Sequence, residues 1–264
     1  MMRADNLFKT FNPGTPLENP VLRGLSLTIE SGQFVTVIGS NGAGKSTFLN
    51  AISGDISPDS GSLFIDGQDV TRLSAWQRAG LVARVFQDPL AGTCEGLSIE
   101  ENLALAMQRG QGRGLSRAVK ASYREQFRAK LATLKLGLEN RLGDRMGLLS
   151  GGQRQAVSLL MASLQPSRLL LLDEHTAALD PKTAAFVLEL TDRIVSENQL
   201  TALMVTHSMR QALDHGHRTV MLHQGRVVLD VSGAERGQME VSDLLQMFEK
   251  TRGEKLDDDA LLLG

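Results

Sequence analysis

The sequence predicts an α/β protein with a mixed or parallel central sheet, an N-terminal antiparallel β subdomain and an inserted helical subdomain. Three observations carry that expectation. The run Leu169-Leu170-Leu171-Leu172 is apolar without interruption, as a central strand buried on both faces requires. Early in the chain, short runs are separated by turn residues, the mark of antiparallel pairing. From about residue 86 to 162, helical periodicity takes over. The 264 residues suffice to bury a sizeable core, and an apolar fraction of 42% with 22% charged residues excludes disordered and collagen-like classes. The expected organisation is one body over 1–240, with 86–162 inserted as the helical subdomain, followed by a C-terminal helical tail over 241–264.

Taken in order, Leu25 to Ile29 and Phe34 to Ile38 read as strands divided by the turn Glu30-Ser31-Gly32-Gln33. Ser62 to Ile65 enters Asp66-Gly67, a pair that supplies the positive φ of a hairpin turn. Val82 to Phe86 is a further strand, and Asp88 to Leu97 is loop. A helix is expected from Ser98 to about Arg109, opened by a Ser98 and Glu101 capping box and closed by Gly110, Gly112 and Gly114. A second runs from Arg117 to Leu136 and stops at Gly137. Ala202 to Val205 repeats the buried-strand pattern, and Thr219 to Leu222 with Val227 to Val231 form a closing hairpin.

A formal net charge of -2 argues against a domain-wide basic surface for a polyanion, so no nucleic-acid partner is expected. The single cysteine, Cys94, excludes an internal disulfide framework and reads as a small loop residue. No run approaches the roughly 20 apolar residues that cross a bilayer, and Met1 to Asn6 shows no apolar secretion signal. The expected location is the cytoplasm, with membrane work done through a partner. His215 and His217 form a His-x-His pair without an evident further ligand, and are expected at a solvated helix end.

Chemistry concentrates in a few short motifs. Gly39-Ser40-Asn41-Gly42-Ala43-Gly44-Lys45-Ser46-Thr47 has the phosphate-loop pattern, after a strand and before a helix. Its glycines let backbone N–H groups turn towards phosphate oxygens, the helix presents its positive end, and Lys45 adds a charge. Ser46 is expected to offer its hydroxyl to Mg2+. Asp173 and Glu174 end the buried run, one carboxylate for the metal shell and the other to orient or deprotonate water. An exposed acidic turn would be the bland alternative. Ser150 of Leu149-Ser150-Gly151-Gly152-Gln153 reads as an N-cap, with the next amides making a second anion site.

Leu149 to Gln153 matches the signature motif of ABC ATPases. The order Lys45, Gln87, Ser150, Asp173 with Glu174, Asp180 and His207 follows the family's order of phosphate loop, Q-loop, signature, acidic strand end, D-loop and switch histidine. The resemblance spans about Phe11 to Val231. It implies a phosphate-loop ATPase core that binds ATP with Mg2+. It makes Phe11 the adenine-stacking aromatic, with Phe8 as competitor, and Gln87 a group touching Mg2+ and water. It also implies a head-to-tail dimer of two copies, in which Ser150 to Gln153 and Asp180 of one copy reach the nucleotide of the other. The implied partners are a multispanning permease docked on the helical subdomain, with Gln87 to Glu95 nearest it, and a periplasmic or lipoprotein substrate-binding protein. The implied place is the cytoplasmic face of a bacterial membrane.

Two positions depart from the family pattern. His175 stands where many members carry proline, and Ala178 replaces a common serine, removing a hydroxyl from the D-loop. The stretch Leu171 to Asp180, with Asp88 to Glu101, resembles ATPases of bacterial systems that import tryptophan, tyrosine or related small solutes. A stand-alone exporter ATPase is the alternative. A soluble ABC ATPase acting on DNA or ribosomes is disfavoured by the single nucleotide-binding set and the absence of heptad arms, a zinc-type cysteine cluster or excess basic residues.

Overall fold

The structure, a computed structural model, describes residues 1–112 and 121–252. The chain opens with strands β1 (Met2–Phe11), β2 (Asn19–Ile29) and β3 (Phe34–Ile38), then helix α1 (Lys45–Ser53). Strands β4 (Ser60–Ile65) and β5 (Gln68–Asp69), the short helix α2 (Ala75–Arg78) and β6 (Val82–Val85) follow. Between β6 and β7 (Leu169–Asp173) lie helices α3 (Ile99–Met107), α4 (Ala121–Ala132) and α5 (Gly151–Ser163). The rest is α6 (Pro181–Glu197), β8 (Ala202–Val205), α7 (Met209–Asp214), β9 (Arg218–His223), β10 (Arg226–Ser232), α8 (Gly233–Gly237) and α9 (Val241–Arg252).

Two sheets result. One is antiparallel in the order β2-β1-β4-β5; the other has the order β10-β9-β3-β8-β7-β6 and is parallel apart from the β9–β10 hairpin. Strand β1 sits inside the antiparallel sheet yet has no counterpart in the sequence reading. Asn6 takes a φ of 52° and the pairing with β2 shifts between Ala4 and Leu7, so no unbroken two-residue alternation runs through it. The helix expected over 117–136 is observed from Ala121; residues 117–120 lie outside the described residues, as do Gly114 and the tail beyond 252. Ser98 caps α3 reciprocally with Glu101, as its spacing predicted.

The central strands β3, β8 and β7 of the six-stranded sheet are buried on both faces. Leu169 and Leu171 of β7, with Leu203 and Val205 of β8, pack towards Phe48, Leu49 and Ile52 of α1 and the inner face of the antiparallel sheet. Leu170, Leu172, Ala202 and Met204 pack on the opposite side against α3 to α6. Helix α1 is thereby clamped between the two sheets. Its C-terminal end is closed by Arg78, wholly buried, whose guanidinium donates to the carbonyls of Ala51 and Ile52 at 2.6 and 2.7 Å. Burial lowers that group to about 10, which leaves it charged at neutral pH and suited to the negative end of the helix. Helix α9 docks Leu244 and Phe248 against Ile38, Met209 and Met221.

The histidine pair differs from expectation. His215 does end α7, but its side chain is only 16% exposed and its Nδ1 lies 2.6 Å from Asp192 Oδ2, while His217 Nδ1 accepts from the Phe34 amide. No cluster of three or more His, Cys, Asp or Glu that could hold a metal occurs among the described residues.

His175, 2% exposed, occupies the space behind the end of β7. Thr191 spends its proton on the Val187 carbonyl, so its oxygen accepts from His175 Nε2, which fixes the tautomer. Burial, aided by His215 and opposed by Asp192, lowers this imidazole from 6.5 to about 4. A buried neutral histidine contributes stability above its unfolded value and loses it as pH falls through the window from 6.5 towards 4. Urea midpoints of the wild type should therefore drop between pH 7 and pH 5 by an amount that His175→Gln abolishes, on the order of 1–2 kcal/mol. Equal pH dependence in both proteins would remove His175 from this role.

Candidate functional site

The turn after β3 is built for close approach. Gly39 has a φ of 152°, and a Cβ there would clash with the Leu222 carbonyl on the neighbouring strand β9. Ala43 donates back to Ser40, and the chain then wraps over into α1. That helix has no side-chain cap, and its first intrahelical bond runs from Phe48 to Gly44. The amides of Lys45, Ser46 and Thr47 precede it, so the positive end of the helix is left for an exogenous anion. Lys45 folds its ammonium over the loop, 2.6 Å from the Gly39 carbonyl and 3.2 Å from that of Ser40. Burial lowers its pKa, while the nearby carboxylates of Glu174 and Asp173 raise it.

Opposite the loop, β7 and β8 deliver their polar ends. Asp173 closes β7, and Glu174 follows with its φ at 45°, an unfavourable backbone for a side-chain-bearing residue that its hydrogen bond to the Val205 carbonyl helps to hold. His207, just past β8, lies with Nε2 2.6 Å from Glu174 Oε1. Gln87 extends from the end of β6. A cleft of about 570 Å3 is lined by Phe11, Asn41, Gly42, Ala43, Gly44, Lys45, Ser46, Thr47, Gln87, Glu174 and His207. Ser46 and Gln87 bring oxygen donors to the cleft, while Asp173 is outside its lining and is bonded to Arg84; a hydroxyl, an amide oxygen and a carboxylate are the hard donors that suit Mg2+.

Several expected residues stand elsewhere in this protomer. Ser40 joins the loop through its backbone carbonyl. Phe8 lies against Gly24, away from the cleft that Phe11 lines. Ser150 caps α5 reciprocally with Gln153, and neither they nor Gly151 or Gly152 line the cleft. Gly152 has a packing reason to be glycine, since a Cβ would clash with Thr183 on α6. Asp180 caps α6 by accepting from the Thr183 amide.

Three residues escaped the sequence reading. Asn19 and Val21, at the start of β2, line the same cleft, and nothing in their local pattern marks them. Arg84 lies within β6 and binds Asp173; its signal was a charge inside the apolar strand Val82–Val85, which only a buried partner explains. A separate groove of about 920 Å3 runs between the sheet and the helices, walled by Trp76, Arg84, Phe86, Gly92, Leu105 and Met161. Trp76 is 78% exposed beside it.

Residues 22–177 match the family described as ABC transporter. The tyrosine transport ATP-binding protein of Clostridioides difficile (strain R20291) is 47% identical over 251 residues, covering 94% of this chain and 99% of that protein. The thiamine import ATP-binding protein ThiQ of Escherichia coli (strain K12) is 36% identical over 76% of this chain and 82% of its own. Among solved structures, the ATP-binding cassette MJ0796, a dimer in a post-hydrolysis state bound to ADP and Pi, superposes with a TM-score of 0.73 at 28% identity, covering 88% of this chain and 98% of the other. No described helix is long and apolar enough to cross a membrane. The motif order, the cleft and these likenesses agree: the chain belongs to the ABC transporter family, as one of its ATP-binding, ATP-hydrolysing cassettes.

Proposed function

We propose that this cassette energises a bacterial importer of tyrosine or a related small solute, working with Mg-ATP at the cleft of Lys45, Gln87, Glu174 and His207. The convergence on one opening of those four side chains, from the start of α1 and from just past the ends of β6, β7 and β8, is the observation that carries the reading. The 47% identity to a tyrosine transport ATP-binding protein supports the cargo class.

The uncapped amides of α1 and the ammonium of Lys45 take the phosphates, and Phe11 stacks on the adenine. Mg2+, when bound beside Ser46, Gln87 and Asp173, neutralises charge on the phosphates. Glu174 holds the attacking water and accepts its proton, so that the hydroxyl oxygen bonds to the γ-phosphorus while the bridging oxygen leaves with ADP. His207 orients Glu174 through the Nε2–Oε1 contact and turns to the γ-phosphate when nucleotide binds. Ser150 to Gln153 and Asp180 of a second copy complete the site head to tail, so ATP closes the dimer and release of phosphate reopens it.

Transport then requires a separate multispanning permease at the cytoplasmic face of the membrane, with a periplasmic or lipoprotein substrate-binding protein supplying the solute. The permease seats on the inserted helical subdomain, around 86–162, in the groove beside Trp76, close to the Gln87 to Glu95 loop. Asn102 holds that loop on α3 by bonds to both backbone groups of Cys94, which suits a surface that passes force.

Glu174→Gln is expected to keep ATP binding and to lose turnover by roughly 10²–10⁴-fold; an ordinary ATPase rate in that variant would exclude Glu174 as base. Phe11→Ala should weaken ATP about tenfold while Phe8→Ala changes it less than about twofold, read by fluorescent-nucleotide titration; the reverse ranking would give the adenine to Phe8. Solubilised from native membranes in mild detergent, the tagged chain should bring down a multispanning permease. Ribosomes or DNA-repair proteins without a permease would overturn the transport reading.

A further inference from the structure

Arg84 occupies the middle of β6 with its side chain only 12% exposed, and it touches three separate parts of the molecule. Nη2 lies 2.6 Å from Asp173 Oδ2, and the Asp173 side chain is itself 14% exposed. Nη1 reaches Asn50 Oδ1 at 2.8 Å and Asp55 Oδ2 at 2.9 Å, at the far end of α1. The guanidinium also sits 4.7 Å from the ring centroid of Phe86, the residue before Gln87 and a wall of the groove.

A buried ion pair is poor evidence for stability, because the desolvation of both charges offsets much of their attraction. What a planar guanidinium supplies better than an apolar residue is direction: it fixes a carboxylate by oriented N–H bonds. Here it engages one oxygen of Asp173 and leaves Oδ1 without a bond to Arg84. Asp173 is thus held from the side of β6 at the level where the phosphate loop leaves β3, since Asp173 and Val37 both pair with Val205. Among the described residues the buried Nε of Arg84 has no partner, so the side chain tolerates one unmet donor in keeping this pose.

We propose that Arg84 is a positioning residue for the metal step: it orients Asp173 so that Oδ1 serves the Mg2+ shell, and it ties that orientation to Phe86 at the wall of the groove. The inference rests on the reading of Asp173 as a metal-shell acid. Loss of a group that orients a metal-binding carboxylate weakens metal affinity by about 10–100-fold, which sets the expected effect.

The test uses the full chain with ADP bound, Mn2+ as the probe and electron paramagnetic resonance to count free Mn2+, alongside ADP affinity measured in EDTA. Arg84→Met should bind ADP in EDTA within about twofold of the wild type and bind Mn2+ at least about tenfold more weakly. Arg84→Lys, which keeps the charge without the planar fork, should fall between the two and decides the matter if the methionine variant does not fold. In an Asp173→Asn background, the Arg84 substitutions should have no further effect on Mn2+. Mn2+ affinity within about twofold of the wild type, or tighter, in these variants would overturn the proposal, as would an equal loss in the Asp173→Asn background. No ADP-dependent Mn2+ binding by the unaltered chain would instead be a failure of the site reading itself.

Discussion

The level at which three parallel strands end is the constraint on which the rest of the structure depends. Pairing sets Val37 beside Val205, Ile38 beside Met221 and Asp173 beside Val205, so the phosphate loop, the two acids and His207 leave the sheet at one edge. Because β7 and β8 are apolar on both faces, their side-chain pattern alone resists a slip only weakly. Their polar ends hold the register. A shift that drew Asp173 inwards would bury a carboxylate away from Arg84, and the bonds from Glu174 to Val205 and from Thr206 to Val37 would be lost.

Around that edge the interior carries more polar groups than its strands suggest, and three of them join separate elements. Arg78 closes α1, Arg84 joins β6 to β7 and α1, and His175 joins the end of β7 to α6. Together they hold α1 and α6 against the strand that ends in Asp173. The strained φ of Glu174 fits this picture, since neighbours that over-determine a residue can keep it in a sparsely populated conformation.

One protomer presents two different helix starts. At α1 the amides are left without a side-chain cap, while at α5 and α6 Ser150 and Asp180 satisfy their own helices at the surface. The first arrangement is built to take an anion within the chain. The second is closed by side chains of its own helix and lies at the surface.

Much of this was legible beforehand. The chain's short-range patterns determined the buried strands 34–38, 169–172 and 202–205, the caps at Ser98 and Ser150, and the sequence of motifs, because turn chemistry, capping and burial act over a few residues. Strand β1 was not legible, since a bulge at Asn6 breaks its alternation. Nor were Asn19, Val21 and Arg84 as parts of the site, because their roles exist only once β2 meets the phosphate loop and β6 lies beside β7. Residue types and their order determined the chemistry this protein is equipped to perform. Tertiary pairing alone decided which distant side chains share the cleft, that Phe11 rather than Phe8 lines it, and that the pair at His215 and His217 is spent on Asp192 and the Phe34 amide. Such choices depend on strands and helices far apart in the chain, and local sequence carries no record of that distance.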